Sequence, residues 1–514
     1  VVIIESLAGA EILHGEYQVA NLCSCTPPEL AAEKGIEDYE GKAEVAGRGN
    51  SSADFEKTQF KIKLQDENGD KLKFPFLGFD SERRFILVGP GESDRSMMFN
   101  YMVRDVFRVF RAVLAAESHD LPSSPIVSHR LPSSPIASHG LPSPPMAPHR
   151  LPSPPMAPHR LTHEGSSSRY YFCLQAYNIG RASGEYAPNT QYIEVFSVED
   201  SQPLSMDDYR GVYLAVEKLD ADRVGLEEDI TDENPTGGFL LKYDNDNYEW
   251  DEVTVGPYTY WGMDQPFVIT EPDAPTEVQR NFLSDYLNQF MQALMAEDWL
   301  RVPDERKYTS FIDVDAFIKY LLAVEVTKNP DGYRGSTYLH KDQDKPLAAG
   351  PMWDYNEAFG MCCGYPIEGY WEEGVSGPGI AGGSAISPEG FRFLICEDPE
   401  RCIADPTDGI SFWYRRMWQD PEFREKTKET WEMLRAGPWS DEEMQKLYDS
   451  GVEQLRNGPA ARNYEAYSEV LGDARGPATL ETWTNATARL DTWLQDRLTW
   501  MDLALGDPKL DYSS

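Results

Sequence analysis

Two aspartates, Asp331 and Asp354, stand 23 positions apart in the stretch TKNPDGYRGSTYLHKDQDKPLAAGPMWDYNEAFG, which runs from Thr327 to Gly360. The chain carries 86 acidic residues, and most carboxylates need only water around them. These two are instead flanked by aromatic and small residues, in a pattern that reads as buried strand and tight turn. Paired carboxylates so placed suit phosphoryl transfer. That chemistry needs one carboxylate beside an acceptor hydroxyl, a second holding Mg2+, and cations with backbone donors on the nucleotide phosphates.

Positioning the pair falls to the elements around it. Apolar residues recur at helical spacing from Val314 to Thr327. STYLHK and LAAGPMWD then read as a β-hairpin with the polar QDK at its turn. Asp331 projects from the loop between helix and hairpin, Asp354 ends the second strand, and the hairpin folds both carboxylates toward one ion. On the phosphate side, GRGNSS is a small-residue turn able to present backbone donors. Lys57, Lys61 and Lys63 are candidate phosphate partners, with Lys61 and Lys63 on one face of the strand QFKIKL by period-two alternation.

Further strands are expected at VVIIE, AEVAGRGNSS, RFILVG, QYIEVFSV and YRGVYLAVEKL, and an amphipathic helix at SDRSMMFNYMVRDVFRVFRAVLAA. Together these suggest a five-strand sheet with one helix packed on it. Beyond it, GGFLLKYD and EVTVG suggest a small sheet and Glu277 to Trp299 a helix. From Phe412 onward the pattern is largely helical, through SFWYRRMWQDPEFREKTKETWEMLR, SDEEMQKLYDSGVEQLR and LETWTNATARLDTWLQDRLTWMDLAL. Ser440 before DEE is an N-cap with acidic residues facing the helix dipole. A decapeptide repeat interrupts the first part, with His119, His129, His139, His149 and His159 spaced by ten. Its proline density excludes helix and sheet, so residues 116–168 read as an extended or disordered insertion.

Length and composition set the outer bounds. A chain of 514 residues with 12 Trp, 27 Tyr and 22 Phe builds large cores and exceeds one ordinary domain. The formal net charge of -39 repels nucleic-acid phosphates and anionic membrane surfaces, and no apolar run approaches a membrane span. The opening VVIIES carries neither an initiator Met nor a signal-peptide pattern. Of the seven cysteines, Cys362, Cys363, Cys396 and Cys402 cluster late with spacing unsuited to one zinc, which favours disulfides between the two late pairs. With the acceptor patterns Asn50-Ser51-Ser52 and Asn485-Ala486-Thr487, this leans toward a secretory-pathway protein. DNDNYEWDE, Asp244 to Glu252, lacks the glycine and ligand spacing of a calcium loop and reads as an acidic surface turn.

The order of RGNSS, KTQFKIKL, DRSMMFNYMVRD, YRGVYLAVEKLDADRVG, GGFLLKYD, FIDVDAFIKYLLAVEVTKNPDGYRGSTYLHK and GPMWDYNEAFG resembles the CotH family, the spore-coat-protein-H-like kinases. The likeness spans nearly the whole chain apart from the Pro-rich insertion. It implies an α+β, atypical protein-kinase-like two-lobed fold: a mixed β-sheet N-lobe at 1–216 and a mostly helical C-lobe at 217–514. It also implies an enzyme that uses ATP and Mg2+ or Mn2+ to phosphorylate Ser/Thr hydroxyls of secreted or surface proteins and itself, as a monomer. Carried over by position, Asp331 resembles the catalytic-loop aspartate and Asp354 the metal-binding one. Arg48, Asn50 and Ser51 resemble the nucleotide-facing turn, Lys57 and Lys63 the basic positions after it, and Glu217 and Lys218 the connection between lobes. Two positions depart from the pattern: Ser336 stands where kinases commonly place a metal-binding Asn, and Asn356 where members often have a second carboxylate. Neutral oxygens there leave less charge to hold two metal ions. The rival expectation is a catalytically degenerate surface or adhesion protein on the same fold.

Overall fold

A computed structural model describes residues 1–48, 57–89, 97, 186–243, 252–253, 259–260, 263–264, 267–360, 387–394, 410–472 and 476–506, apart from positions 8, 10, 201, 228–229, 330, 334 and 356–357. The repeat, all of the helix expected before it except Met97, the four late cysteines and the DNDNYEWD turn lie outside these residues, as do Asn50, Ser51 and Asn356. Residues 1–106 and 168–514 form one compact unit.

Among the described residues, seven strands close into a barrel: β1 (Val2–Ser6), β2 (Gln18–Ser24), β3 (Glu40–Arg48), β4 (Gln59–Gln65), β5 (Arg84–Val88), β6 (Thr190–Val198) and β7 (Tyr209–Glu217). Their order is β1-β2-β3-β4-β5-β7-β6, and β1 closes the ring by pairing parallel to β6 with Val2 opposite Val195. The expected five-strand sheet is thereby corrected to a closed barrel of seven strands, which includes all six strand segments named from the sequence. QVANLCS is an additional strand, and closure removes the free edges that an open sheet would leave exposed. Phe60, Ile62 and Leu64 of β4 point into the barrel core, so Lys61 and Lys63 lie on its outer wall. Each buried apolar side chain of this kind contributes about 1.5–3 kcal/mol.

β7 is buried on both faces, which explains the unbroken apolar run GVYLAV. Tyr213 and Ala215 fill the barrel, while Val212, Leu214 and Val216 belong to the larger core beyond it. Gly211 sits at a bulge with φ +89, and a Cβ there would come 2.5 Å from Asn463 Oδ1. Only glycine lets a helix approach so closely.

The larger core is built from helices and a second sheet. Its helices, numbered after α1 (Pro28–Lys34) and α2 (Ala221–Val224), are α3 (Glu277–Met295), α4 (Val314–Thr327), α5 (Ser411–Met417), α6 (Pro421–Arg435), α7 (Asp441–Arg456), α8 (Pro459–Ala466) and α9 (Leu480–Gly506). The sheet adds β8 (Phe239–Tyr243), β9 (Glu252–Val253), β12 (Phe267–Glu271), β13 (Thr337–Lys341) and β14 (Ala348–Ala349), while β10 (Thr259–Tyr260) and β11 (Met263–Asp264) pair separately. The expected hairpin is β13–β14, with Leu339 opposite Ala349, and β13 also pairs with β8; its second strand ends at Ala349, so Asp354 lies in the irregular segment beyond it and not at the strand end as expected. One long helix was expected across residues 411–435. It is divided because Asp420 caps a new start, accepting from Glu422 N at 3.0 Å, and Pro421 occupies the first turn. Ser440 caps α7 as expected, accepting from Glu443 N at 3.3 Å.

Cys23 and Cys25 are free thiols with their sulfurs 3.5 Å apart. The Asn485 acceptor pattern lies within α9, where Thr487 is buried and donates to the Thr484 carbonyl, so it is not displayed as an extended loop. No helix among the described residues is long and apolar enough to cross a membrane.

Candidate active site

Helix α4 delivers the chain to Asp331. Asp313 caps it, accepting from Ala316 N at 3.1 Å, and from Ala316 to Thr327 nearly every residue is buried. The helix ends because Lys328 adopts the left-handed conformation, φ 49, with its amide bonded back to Glu325 and Val324 carbonyls. The loop that follows is packed tightly against the helix it leaves. Gly332 cannot carry a side chain, since a Cβ would lie 2.6 Å from Val324 Cγ1, and its carbonyl accepts from Tyr320 OH at 2.9 Å.

Asn329, 1 % exposed, connects the two aspartate segments. Its Oδ1 accepts from Asp331 N at 3.2 Å and its Nδ2 donates to the Asp354 carbonyl at 3.4 Å. The Asp331 carbonyl accepts from Gly335 N at 2.9 Å and Thr337 Oγ1 at 3.3 Å, closing the turn that holds Ser336. Ser336 Oγ donates to Asp354 Oδ2 at 3.2 Å. Asp331, Ser336 and Asp354 are therefore brought into one hydrogen-bonded cluster, each half-buried. Ser336 and Asp354 have φ of 48 and 56, a left-handed strain that non-glycine residues sustain only where the surroundings enforce it. Asn329 was missed from sequence; its only signal there is a polar residue at the end of an otherwise apolar helix.

The remaining expected residues do not all join this cluster. Lys57 is buried, with its ammonium donating to the Val212 carbonyl at 2.6 Å and Asn463 Oδ1 at 2.7 Å, between the rings of Tyr213 and Tyr467. It fastens β7 to α8. Glu217 lies five residues along β7 from that point, about 16 Å at the rise of a strand. There it is fully buried, accepting from Arg223 Nη1 at 2.8 Å and Asn189 N at 2.9 Å. Lys57 and Glu217 thus form no pair. Lys61 and Lys63 stack on Tyr17 with their ammonium groups 4.7 and 3.6 Å from the ring centroid, and burial draws both below the ordinary lysine range. Arg48 donates to Gln59 Oε1 at 3.2 Å beside them.

Beyond β7 the chain turns through Leu219 and Ala221, which share a small apolar cluster with Leu226 and Leu240. Tyr186, Tyr338 and Trp353 pack against that cluster half-buried, so the residue preceding Asp354 meets the segment leaving the barrel. Next to it Arg84 bridges Asp220 at 3.3 Å and Glu271 at 3.8 Å. Burial, and then Asp273, push the Glu271 carboxyl up to about 7. Because this value is raised in the folded state, the contribution of Glu271 to stability is fully present below its unfolded value and is lost as pH rises through about 7. Glu271→Gln is expected to match the wild type in thermal midpoint near pH 5 and to exceed it near pH 8. Equal differences at both pH values would contradict this.

The donors of the cluster are all hard oxygens. Among the described residues no group of three His, Cys, Asp or Glu forms a complete metal cage. Mg2+ at a nucleotide site does not require one, since one or two carboxylates and the phosphates share the coordination. Asp354, whose carboxylate accepts from the Ser336 hydroxyl, fits that division, and Trp353 beside it meets Tyr338 edge to face at 6.3 Å. No curated protein matches the chain. The profile of the CotH kinase protein family matches residues 174–501, more than half of the chain, taking in β6, β7, Asp331, Ser336 and Asp354 and leaving Lys57, Lys61 and Lys63 ahead of it. A match of that extent, centred on the cluster just described, means that this chain belongs to the CotH kinase protein family.

Proposed function

We propose that the chain is an atypical protein kinase that transfers the γ-phosphate of ATP to Ser/Thr hydroxyls of secreted or surface proteins and of itself, through a barrel lobe and a helical lobe with the Asp331–Asp354 cluster between them. The observation that carries this reading is that Asn329 holds the backbone at both Asp331 and Asp354, while Ser336 from the Asp331 turn bonds the Asp354 carboxylate, all within the family match. When bound, the nucleotide supplies the phosphoryl group, and Mg2+ or Mn2+ neutralises the charge that develops on it. Asp331 orients the acceptor hydroxyl and takes its proton as the new O–P bond forms and the bridging bond to the leaving diphosphate breaks. Asp354 would hold the metal, and the Ser336 hydroxyl directs that carboxylate. Asn356 is the second oxygen ligand in this reading.

Lys61 is the lysine we assign to the phosphates. Lys57 already spends its charge inside the protein. Lys61 shares an outer-wall row with Ile86 and Val216 across β4, β5 and β7, and Val216 faces the larger core. Lys63 is one pleat farther along the same wall, and Arg48 beside them, with Asn50 and Ser51 from the residues that follow it in sequence, is assigned to the same phosphate side. Two substitutions separate the lysines. Lys57→Met is expected to cost about 2 kcal/mol of stability through its lost charged hydrogen bonds while leaving the KM for ATP unchanged. Lys61→Met should leave stability nearly intact and raise that KM about tenfold, one charge-assisted contact.

The deciding experiment incubates the intact chain with labelled ATP and Mg2+ or Mn2+ and follows label on the protein and on acidic secreted proteins. Incorporation into Ser/Thr, together with an ATP-dependent rise in thermal midpoint, is expected. Absence of both would leave the degenerate surface protein as the reading.

A further inference from the structure

We infer that the Glu325 carboxylate is a positioning group for Asp331, clamping the loop that carries it to the 387–394 segment and to α9; the inference rests on the kinase reading above. Glu325 is 1 % exposed in the last turn of α4. All its acceptor capacity is committed: Oε1 accepts from Tyr333 OH at 2.9 Å and Phe393 N at 3.0 Å, and Oε2 from Arg392 N at 2.5 Å and Arg497 Nη2 at 3.2 Å. Tyr333 lies two residues past Asp331, so one end of the carboxylate grips the catalytic loop and the other end grips distant chain.

Cations extend the clamp from the other side. Arg497, fully buried on α9, donates to the carbonyls of Glu325, Pro388 and Gly390 at 2.8, 2.7 and 2.6 Å. Lys328, also fully buried, donates to the Ser387 carbonyl at 2.7 Å and to that of Glu389. Four successive carbonyls, 387 to 390, are therefore taken by two cations, one of them at the start of the Asp331 loop. Such a network costs desolvation for every charge it buries. Its return is rigidity: with all partners satisfied, the loop has one arrangement. Tyr320 on the Gly332 carbonyl and Asn329 on the Asp331 amide complete the restraint, so the loop is held on both sides of Asp331.

A mild variant tests this without unfolding the protein. Tyr333→Phe removes one hydroxyl from the clamp. Tyr308→Phe removes an equivalent hydroxyl, bonded to Asp420 at 2.8 Å, elsewhere in the same core. Placement of Asp331 is expected to suffer only in the first, with kcat falling about ten- to hundredfold while the KM for ATP and the ATP thermal shift stay at wild-type values. Tyr308→Phe is expected to lose comparable thermal stability and keep its kcat. Equal kcat in both variants would overturn the inference. Hydrogen exchange supplies a readout independent of activity. Amides of residues 331–335 and 387–393 should exchange faster in Tyr333→Phe and in Glu325→Gln, and unchanged exchange there overturns the clamp. Loss of all phosphate transfer in the wild type would sink the kinase reading instead, leaving the exchange result to decide the clamp.

Discussion

Alanine in place of Asp354 is expected to lower phosphate incorporation by about 10³-fold, because a metal held at the phosphates is worth several kcal/mol of transition-state charge. The same variant should lose the metal-dependent part of the ATP thermal shift. Asp331→Ala is expected to lower incorporation by about 10²- to 10⁴-fold, the usual worth of a positioned general base, yet to keep that shift. The contrast follows from the different roles proposed for the two carboxylates. Asp354→Asn refines the test. Asn tolerates the left-handed conformation found at this position and can still accept from Ser336 Oγ, so the variant removes charge and spares the fold. An Asp354→Asn protein that keeps full activity with Mg2+ would refute the metal role. A variant that loses activity along with its thermal midpoint would point to a structural role only.

Several parts of this arrangement can be read from the sequence by local rules. The alternation in QFKIKL places Lys61 and Lys63 outside the barrel, and the spacing in VDAFIKYLLAVEVT places α4 on its observed residues, because both depend only on the period of the element. The hairpin is legible for the same reason, from two apolar runs around QDK. Barrel closure is not. It depends on β1 pairing parallel with β6, which no local pattern announces, and β2 escapes notice because its buried row is Ala20, Leu22 and Ser24 while Val19 is exposed, so residue type does not follow the burial alternation. β7 shows the limit from the opposite direction. Its apolar run is evident, yet only the folded chain reveals that alternate residues serve two different cores.

The site divides along the same line. Asp331 and Asp354 stand out by their aromatic and small neighbours, but the second hairpin strand stops at Ala349, and it is Asn329 and Ser336 that tie the two segments together. Lys57 looks as suitable as Lys61 in the sequence, but the Gly211 bulge and Asn463 on α8 claim its charge, and both are contributed from far along the chain. Asn329, Glu325 and Arg497 are invisible to motif reasoning, since each matters through a partner that only tertiary structure supplies. Buried polar residues next to a reactive loop are the signal that could have drawn attention to the first two.

Replacing Arg497 by leucine is expected to be the most damaging single change to stability, costing about 3–5 kcal/mol. Leucine approximates the buried volume but supplies none of the donors. The fully buried Glu325 carboxylate is then left with Tyr333 and two amides as its remaining partners, and the carbonyls of Pro388 and Gly390 lose theirs. Burial draws the Arg497 guanidinium down to about 10 and the Glu325 carboxylate opposes that pull, so the guanidinium stays charged at neutral pH. The cost therefore arises mainly from what is left behind, not from the pair's own attraction. A double-mutant cycle separates the two: adding Glu325→Gln to Arg497→Leu removes the orphaned charge and is expected to recover more than about 1 kcal/mol of the loss, a coupling typical of directly bonded residues. Urea midpoints at unchanged slope provide the measurement. Additive losses in the double variant would mean that the two side chains act independently, and the clamp on the Asp331 loop would lose its energetic basis.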